Sequence, residues 1–160
     1  MAHELDIVNG KASMFSSRGM LPWHGLGTVI NEDAVTSAEA IKLAGLDYDL
    51  YKNPVFTIDP DGNKIEIPDS FAVVRGDTNK ALGVVGKNYH IFQNSEAFAF
   101  FDDVVGEKLA VYETAGALHE GRKVWILAKL PKELFIKGTN DRTDCYVLLG
   151  TSHDGSQALM

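Results

Sequence analysis

The first 31 residues lack a sustained hydrophobic period of either kind. Gly10, Gly19, Gly25, Gly27 and Pro22 punctuate them, yet Phe15, Leu21, Trp23 and Leu26 are too apolar for a free tail. That mixture predicts an ordered but irregular arm packed across the rest of the chain. Helical signals begin afterwards. Thr36 and Glu39 stand in capping-box spacing, where the hydroxyl takes a backbone N–H and the carboxylate reaches back. Ala38, Ile41, Leu43 and Ala44 follow, and Gly45 is a natural stop.

A β-rich stretch comes next. Residues 48–59 are rich in aromatic and β-branched side chains. Pro60-Asp61-Gly62-Asn63 reads as a turn with Gly62 tolerating positive φ, and 64–67 alternates with period two. The runs 71–74 and 81–85 read as two more strands joined across Gly76-Asp77-Thr78-Asn79, a spacing that favours an antiparallel meander. Asn94 or Ser95 is placed to cap a second helix running to about Val105. Its apolar stripe is Ala97, Phe98, Phe101, Val104 and Val105.

Residues 109–118 and 122–130 then form a second hairpin about His119-Glu120-Gly121, with Glu120-Gly121 as the two-residue turn. With His119 facing Arg122, Gly116 falls opposite Trp125, Thr114 opposite Leu127 and Glu113 opposite Ala128. The indole would fill the space over the cross-strand glycine. Pro131 ends the strand, and a final apolar run occupies 145–149. The pattern predicts one α+β domain over 1–160: a mainly antiparallel sheet with two helices, and the arm 1–31 packed on it.

Composition agrees with a globular domain: 160 residues, 45% hydrophobic and 23% charged. No apolar run approaches the ~20 residues of a membrane span. The first residues carry no basic segment leading into an apolar one, so no secretory signal is read there. A single cysteine, Cys145, cannot form an internal disulfide and fits a reducing, cytoplasmic setting.

Net charge is −7, unevenly spread. Residues 1–79 hold 6 Lys/Arg against 12 Asp/Glu, whereas 108–142 hold 7 against 4. Only this second stretch, through Arg122, Lys123, Lys129, Lys132, Lys137 and Arg142, could supply the cation density that polyanion binding needs, and an ordinary solvated hairpin face accounts for it better.

Candidate chemistry is sparse. His3, His24, His90, His119, His153 and Cys145 show no metal-knuckle or His-x-x-x-His spacing, so neither a metal nor a cofactor is predicted. Ser152-His153-Asp154 holds the residue types of a hydrolase triad, but contiguous side chains diverge, and a turn with Asp154 on backbone N–H groups fits better. Trp23-His24-Gly25-Leu26-Gly27 has Gly-x-Gly without a phosphate-loop ending, which leaves Trp23 as an anchor of the arm. The run from Lys87 to Asn94, with Tyr89, could stack on a nucleobase. The bland alternative makes Asn94 a helix cap and sends Ile91 and Phe92 into the core. Glu113, Thr114, Arg122 and Trp125 are expected to approach one another on the second hairpin.

Several strings in order carry a family resemblance. They are Met1-Ala2-His3-Glu4-Leu5, Pro22-Trp23-His24-Gly25-Leu26-Gly27, Leu82-Gly83-Val84-Val85-Gly86 with Tyr89, and Gln93-Asn94 before Phe98. Tyr112-Glu113-Thr114-Ala115-Gly116, Gly121-Arg122-Lys123-Val124-Trp125 and Ser152-His153-Asp154-Gly155-Ser156 complete the set. The chain resembles the phage/plasmid-like proteins of unknown function (domain of unknown function 932), in their N-terminal part. The family carries no settled activity. The resemblance implies a mobile genetic element, a bacterial host cytoplasm, and a longer architecture continuing past Ser156.

Two function classes follow. The first is a non-catalytic binding protein in phage DNA metabolism, engaging single-stranded nucleic acid or a protein that handles it, with no membrane role. The second is a hydrolase-like enzyme built on Glu113, Arg122, His153 and Asp154 with His24; inhibition of a host protein is a third option. The candidate binding residues are Trp23, His24, Tyr89, Asn94, Glu113, Arg122, Lys123, Trp125, His153 and Asp154.

Overall fold

The computed structural model describes residues 4–20, 22–31, 33, 36–105, 110–135 and 142–157, without the side chains of 104, 105, 132–135 and 142. Leu21, Lys108 and Lys137 therefore lie outside the described residues, as do the side chains of Val104, Val105, Lys132 and Arg142.

The chain is α+β, and its described residues place strands in three sheets rather than the single sheet expected. A small hairpin pairs β1 (Ile7–Val8) with β2 (Lys11–Ala12). The main sheet takes β3 (Met14–Ser16), β4 (Thr28–Val29), β8 (Val111–Leu118), β9 (Lys123–Phe135) and β10 (Arg142–Ser152) in the order β10-β9-β8-β3-β4. Strands β5 (Leu50–Ile58), β6 (Lys64–Arg75) and β7 (Ala81–Gly86) form an antiparallel meander. Runs 64–67 and 71–74, read separately in the sequence, are one continuous strand.

The first 31 residues depart most from expectation. They do not simply lie across the sheet but enter it. β3 pairs antiparallel with β8 and parallel with β4. Strands of two or three residues are too short for a period to register, which hides them in the sequence.

Two helices cover one face of the main sheet. α1 (Ser37–Ala44) starts at Thr36, whose hydroxyl accepts the Glu39 N–H, and ends at Gly45 in the left-handed region. Both ends match the sequence signals. α2 (Asn94–Val105) begins differently from either expected cap. The Gln93 carbonyl accepts the Ala97 N–H, and the Glu96 carboxylate accepts the Gln93 N–H. Gln93 is thus the capping residue, and its side chain is clamped to both the N–H and the C=O of Leu50. Asn94 is left free to point inward.

The core joins Ala40, Ile41, Phe98 and Phe101 of the helices to Phe15, Ala115, Val124 and Ile126 of the sheet's inner face. Alanines on that face let the helices approach closely. Asp102 of α2 accepts hydrogen bonds from Ser37 of α1 and Tyr112 of β8, tying the two helices to the sheet.

Arg75, Asp6 and Glu113 are the buried charged residues among those described, and Arg75 is the deepest. Arg75, at the end of β6, is 1% exposed. Its Nε and Nη2 donate to the Asp77 carboxylate at 2.7 and 3.0 Å, and Nη1 donates to Asp6 at 2.6 Å and to the Glu120 carbonyl at 3.2 Å. Its guanidinium lies 3.8 Å from the centre of the Tyr48 ring. Asp6 also accepts from Ser13. The arm, the meander and the β8–β9 turn therefore meet on one cation.

Removing a single partner from a buried charge cluster costs about 3–5 kcal/mol, because the remaining charge stays buried and unpaired. Arg75→Ala should lower urea-unfolding stability by that amount. Val84→Ala, at an exposed position of β7, should cost under ~0.5 kcal/mol. Equal costs for the two variants would contradict the assignment.

Candidate functional site

The β8–β9 turn has Glu120 and Gly121 at its central positions, both at positive φ (63° and 96°), as a primed hairpin turn requires. The Arg122 N–H bonds back to the His119 carbonyl. Gly121 is required for a second reason: a Cβ there would lie 2.8 Å from Arg75 Nη1.

Beyond the turn, Gly116 pairs with Trp125 and Thr114 with Leu127, as the sequence predicts. Glu113 does not pair with Ala128. A bulge intervenes, and Tyr112 takes that partner instead. In regular register Glu113 would point into the apolar inner face; the extra residue turns it outward. The carboxylate, nearly buried, lies 3.7 Å from Arg18 and beside the Tyr146 hydroxyl.

The outer face of the main sheet is the surface these features share. Lys123, Trp125, Leu127 and Lys129 alternate along β9, opposite Ser152, Gly150, Leu148 and Tyr146 of β10. The indole lies over Gly116, where an added Cβ would fall 2.4 Å from Trp125 Cη2. Leu148 is 59% exposed and Tyr146 also open to solvent, while Trp125 is half-buried. Lys129 is paired with Asp144 at 2.6 Å, and Arg122 is exposed at the end of the strip. Glycines opposite and beside Trp125 leave its ring accessible on one side and supported on the other.

The remaining candidates scatter. Trp23 does not anchor the arm: it is 75% exposed, edge-on to His24. His24 Nδ1 accepts the Leu26 N–H. Gly27 does serve close packing, since a Cβ there would meet the Met14 carbonyl at 2.8 Å. The Tyr89 hydroxyl donates to the Ser152 carbonyl.

His153 and Asn94 come together inside the protein. His153 Nε2 shares a 2.8 Å hydrogen bond with Asn94 Oδ1, and Asn94 Nδ2 donates to the Leu46 carbonyl. Neither is a surface ligand group: both are 1% exposed. Tyr48 lies beside Asn94, its buried hydroxyl facing that side chain. The His153 N–H donates to the Arg122 carbonyl, so the backbones of these two residues touch while their side chains diverge.

The hydrolase set is correspondingly dispersed. Glu113 is five residues of strand, each rising about 3.3 Å, from the end of β8 where Arg122 and His153 meet. Arg18, not Arg122, is the ion partner of Glu113. Ser152 is bonded to the Gln157 backbone, and Asp154 caps a turn by accepting the Ser156 N–H, with Gly155 at φ 79°. Asp154 also packs against Gly83 of β7, where a Cβ would lie 2.6 Å from its Cα. Among the described residues, no group of three or more His, Cys, Asp or Glu is placed to hold a metal.

Residues that sequence reasoning missed are Tyr146 and Leu148 on the outer face and Arg75, Asp6 and Tyr48 within. Tyr146 and Leu148 had no signal, because the run 145–149 is apolar throughout and does not show which of its residues face outward. For Arg75 the clue is its phase: it stands two residues after the buried Val73 on the same strand face.

Residues 81–160, half of the chain, match the family described as Domain of unknown function (DUF932). The chain belongs to this family. The match covers β7 through the Asp154 turn, and so includes the Trp125 face and the His153–Asn94 pair of this DUF932 protein. No curated protein and no solved structure matches it. No described helix is long and apolar enough to cross a membrane.

Burial pushes the His153 imidazole down to about 4, so the folded protein holds it neutral. An unfolded histidine takes a proton below about pH 6.5. His153 therefore contributes stability above pH 6.5 that is lost as pH falls toward 4, on the order of 3 kcal/mol. His153→Gln should flatten the pH-stability profile in that window. An unchanged slope between pH 6.5 and 4 would sink this assignment.

Proposed function

We propose that this DUF932 protein is a non-catalytic binding protein of a phage or plasmid, working in DNA metabolism in the cytoplasm of the bacterial host. Its ligand is single-stranded nucleic acid, held on the outer face of the main sheet. The observation that carries this reading is the strip formed by Lys123, Trp125, Lys129 and Tyr146 on one face, with Arg122 at its end. Aromatic rings on a sheet offer stacking surfaces to bases of any sequence, and adjacent cations track the phosphates. The order of the chain's motifs, shared with phage/plasmid-like proteins, supports the setting.

The net charge of −7 makes the attraction local rather than long-range. The dispersal of Glu113, His153 and Asp154 argues against the hydrolase reading, since no reacting atom can touch all three. A second reading, a protein partner that handles nucleic acid, is favoured by Leu127 and the exposed Leu148 in the middle of the strip, and by Asp144 neutralising Lys129.

Anisotropy with a labelled oligothymidine separates the two. With Arg122 and Lys123 engaged, and Lys129 held by Asp144, binding should fall with salt at a log–log slope of about −1.4. Trp125→Ala should weaken it by about 5- to 150-fold, the loss of stacking on one base. Absence of oligonucleotide binding at low salt would overturn the nucleic-acid reading. Loss of a co-purifying protein on Leu148→Asp would then support the second.

A further inference from the structure

The meander projects a free end. β7 pairs with β6 only from Ser70 to Val74, so beyond Asp69 the sheet narrows to β5 and β6 alone. There Phe56 pairs with Glu66, Thr57 with Ile65 and Ile58 with Lys64. The tip is closed by the Asp59 N–H to Asn63 carbonyl bond and by Gly62 at φ 88°. Phe56, Ile58 and Ile65 are exposed on this two-stranded end, Ile58 by 71%. Two strands without a covered face are marginal in water; three or more are needed for independent stability.

The two edges of this end differ. The β5 edge contains Pro54, a residue that lacks a backbone donor and blunts strand addition. The β6 edge at 64–66 has no proline, and Pro68 limits its length. Because the Asn63 carbonyl points toward β5, alternation turns the N–H and C=O groups of Lys64 and Glu66 to the open side. Both side chains are exposed.

This edge is complementary to itself. A two-fold axis through Ile65 sets Lys64 opposite the partner's Glu66 and Glu66 opposite the partner's Lys64. Each of these pairs exchanges two backbone hydrogen bonds and joins opposite charges across the strands. On the other face Ile65 meets the partner's Ile65 in a close, non-hydrogen-bonded pair. We propose that two copies of the chain associate through the 64–66 edge of β6, converting two exposed hairpins into one four-stranded sheet. The inference stands apart from the Trp125 face and does not depend on what binds there.

Sedimentation velocity of the full chain over graded concentrations tests it. The wild type should pass from the mass of one chain to that of two. Lys64→Glu sets Glu against Glu across both pairs, and Glu66→Lys sets Lys against Lys. Each alone should raise the dissociation constant about tenfold or more. Mixed in equal amounts, the two variants restore opposite charges in both pairs and should dimerise with each other. In a Cys145→Ser background, Ile65→Cys should form an interchain disulfide on mild oxidation, because the axis brings the two Cα atoms to about 4.5 Å. A wild type that stays monomeric, variants that dimerise as it does, or a mixture no better than its parts would each overturn the proposal.

Discussion

Arg75 sets a constraint that the other elements obey. A guanidinium removed from water must have its donors satisfied, and here the acceptors come from separate parts of the chain: Asp6 of the arm, Asp77 after β6, and the Glu120 carbonyl in the hairpin turn. The Tyr48 ring closes the remaining side. Gly121 must be glycine because any Cβ would collide with the same guanidinium. The positive φ angles of His119 and Glu120, costly for residues with a Cβ, are held in place by this packing and by the Lys80–Glu120 and Glu4–His119 pairs.

The turn so fixed is the origin from which the Trp125 face is measured. Register counts outward from Leu118 and Lys123, so a shift of one residue would send Trp125 into the helices and Ile126 into solvent. The Glu113 bulge then changes phase once, past the point where Gly116 and Trp125 have paired. Inward-facing polar groups are consumed by architecture: Asn94 and His153 join α2 to the end of β10, and Gln93 joins it to β5. The outer face carries aromatic, aliphatic and cationic side chains beside the carboxylates of Glu113 and Asp144.

Local signals in the sequence were legible where one residue acts on its near neighbours. Thr36 and Gly45 bound α1, Gly62 and Glu120-Gly121 mark the two hairpin turns, and Gly116 identifies the seat of Trp125. Features set by distant partners were not. Asn94 looks like a helix cap until His153 and Leu46 supply the bonds that its side chain takes instead. β3 gains its place from β8, nearly a hundred residues on, and its three residues carry no period of their own. A bulge such as that at Glu113 inserts one residue without a compositional mark, and Arg75 shows only a charge in an inward phase.

Amide hydrogen exchange on Asp6→Asn tests the coupling through Arg75 most directly. The substitution removes a charge from the arm while leaving the turn's sequence intact. Increased exchange is predicted at the Ser13 and Ala117 amides and, across the cluster, at His119 and Arg122, with the Asp59–Asn63 tip unchanged. Increased exchange confined to residues near Asp6, with the 119–122 turn as protected as in the wild type, would contradict it.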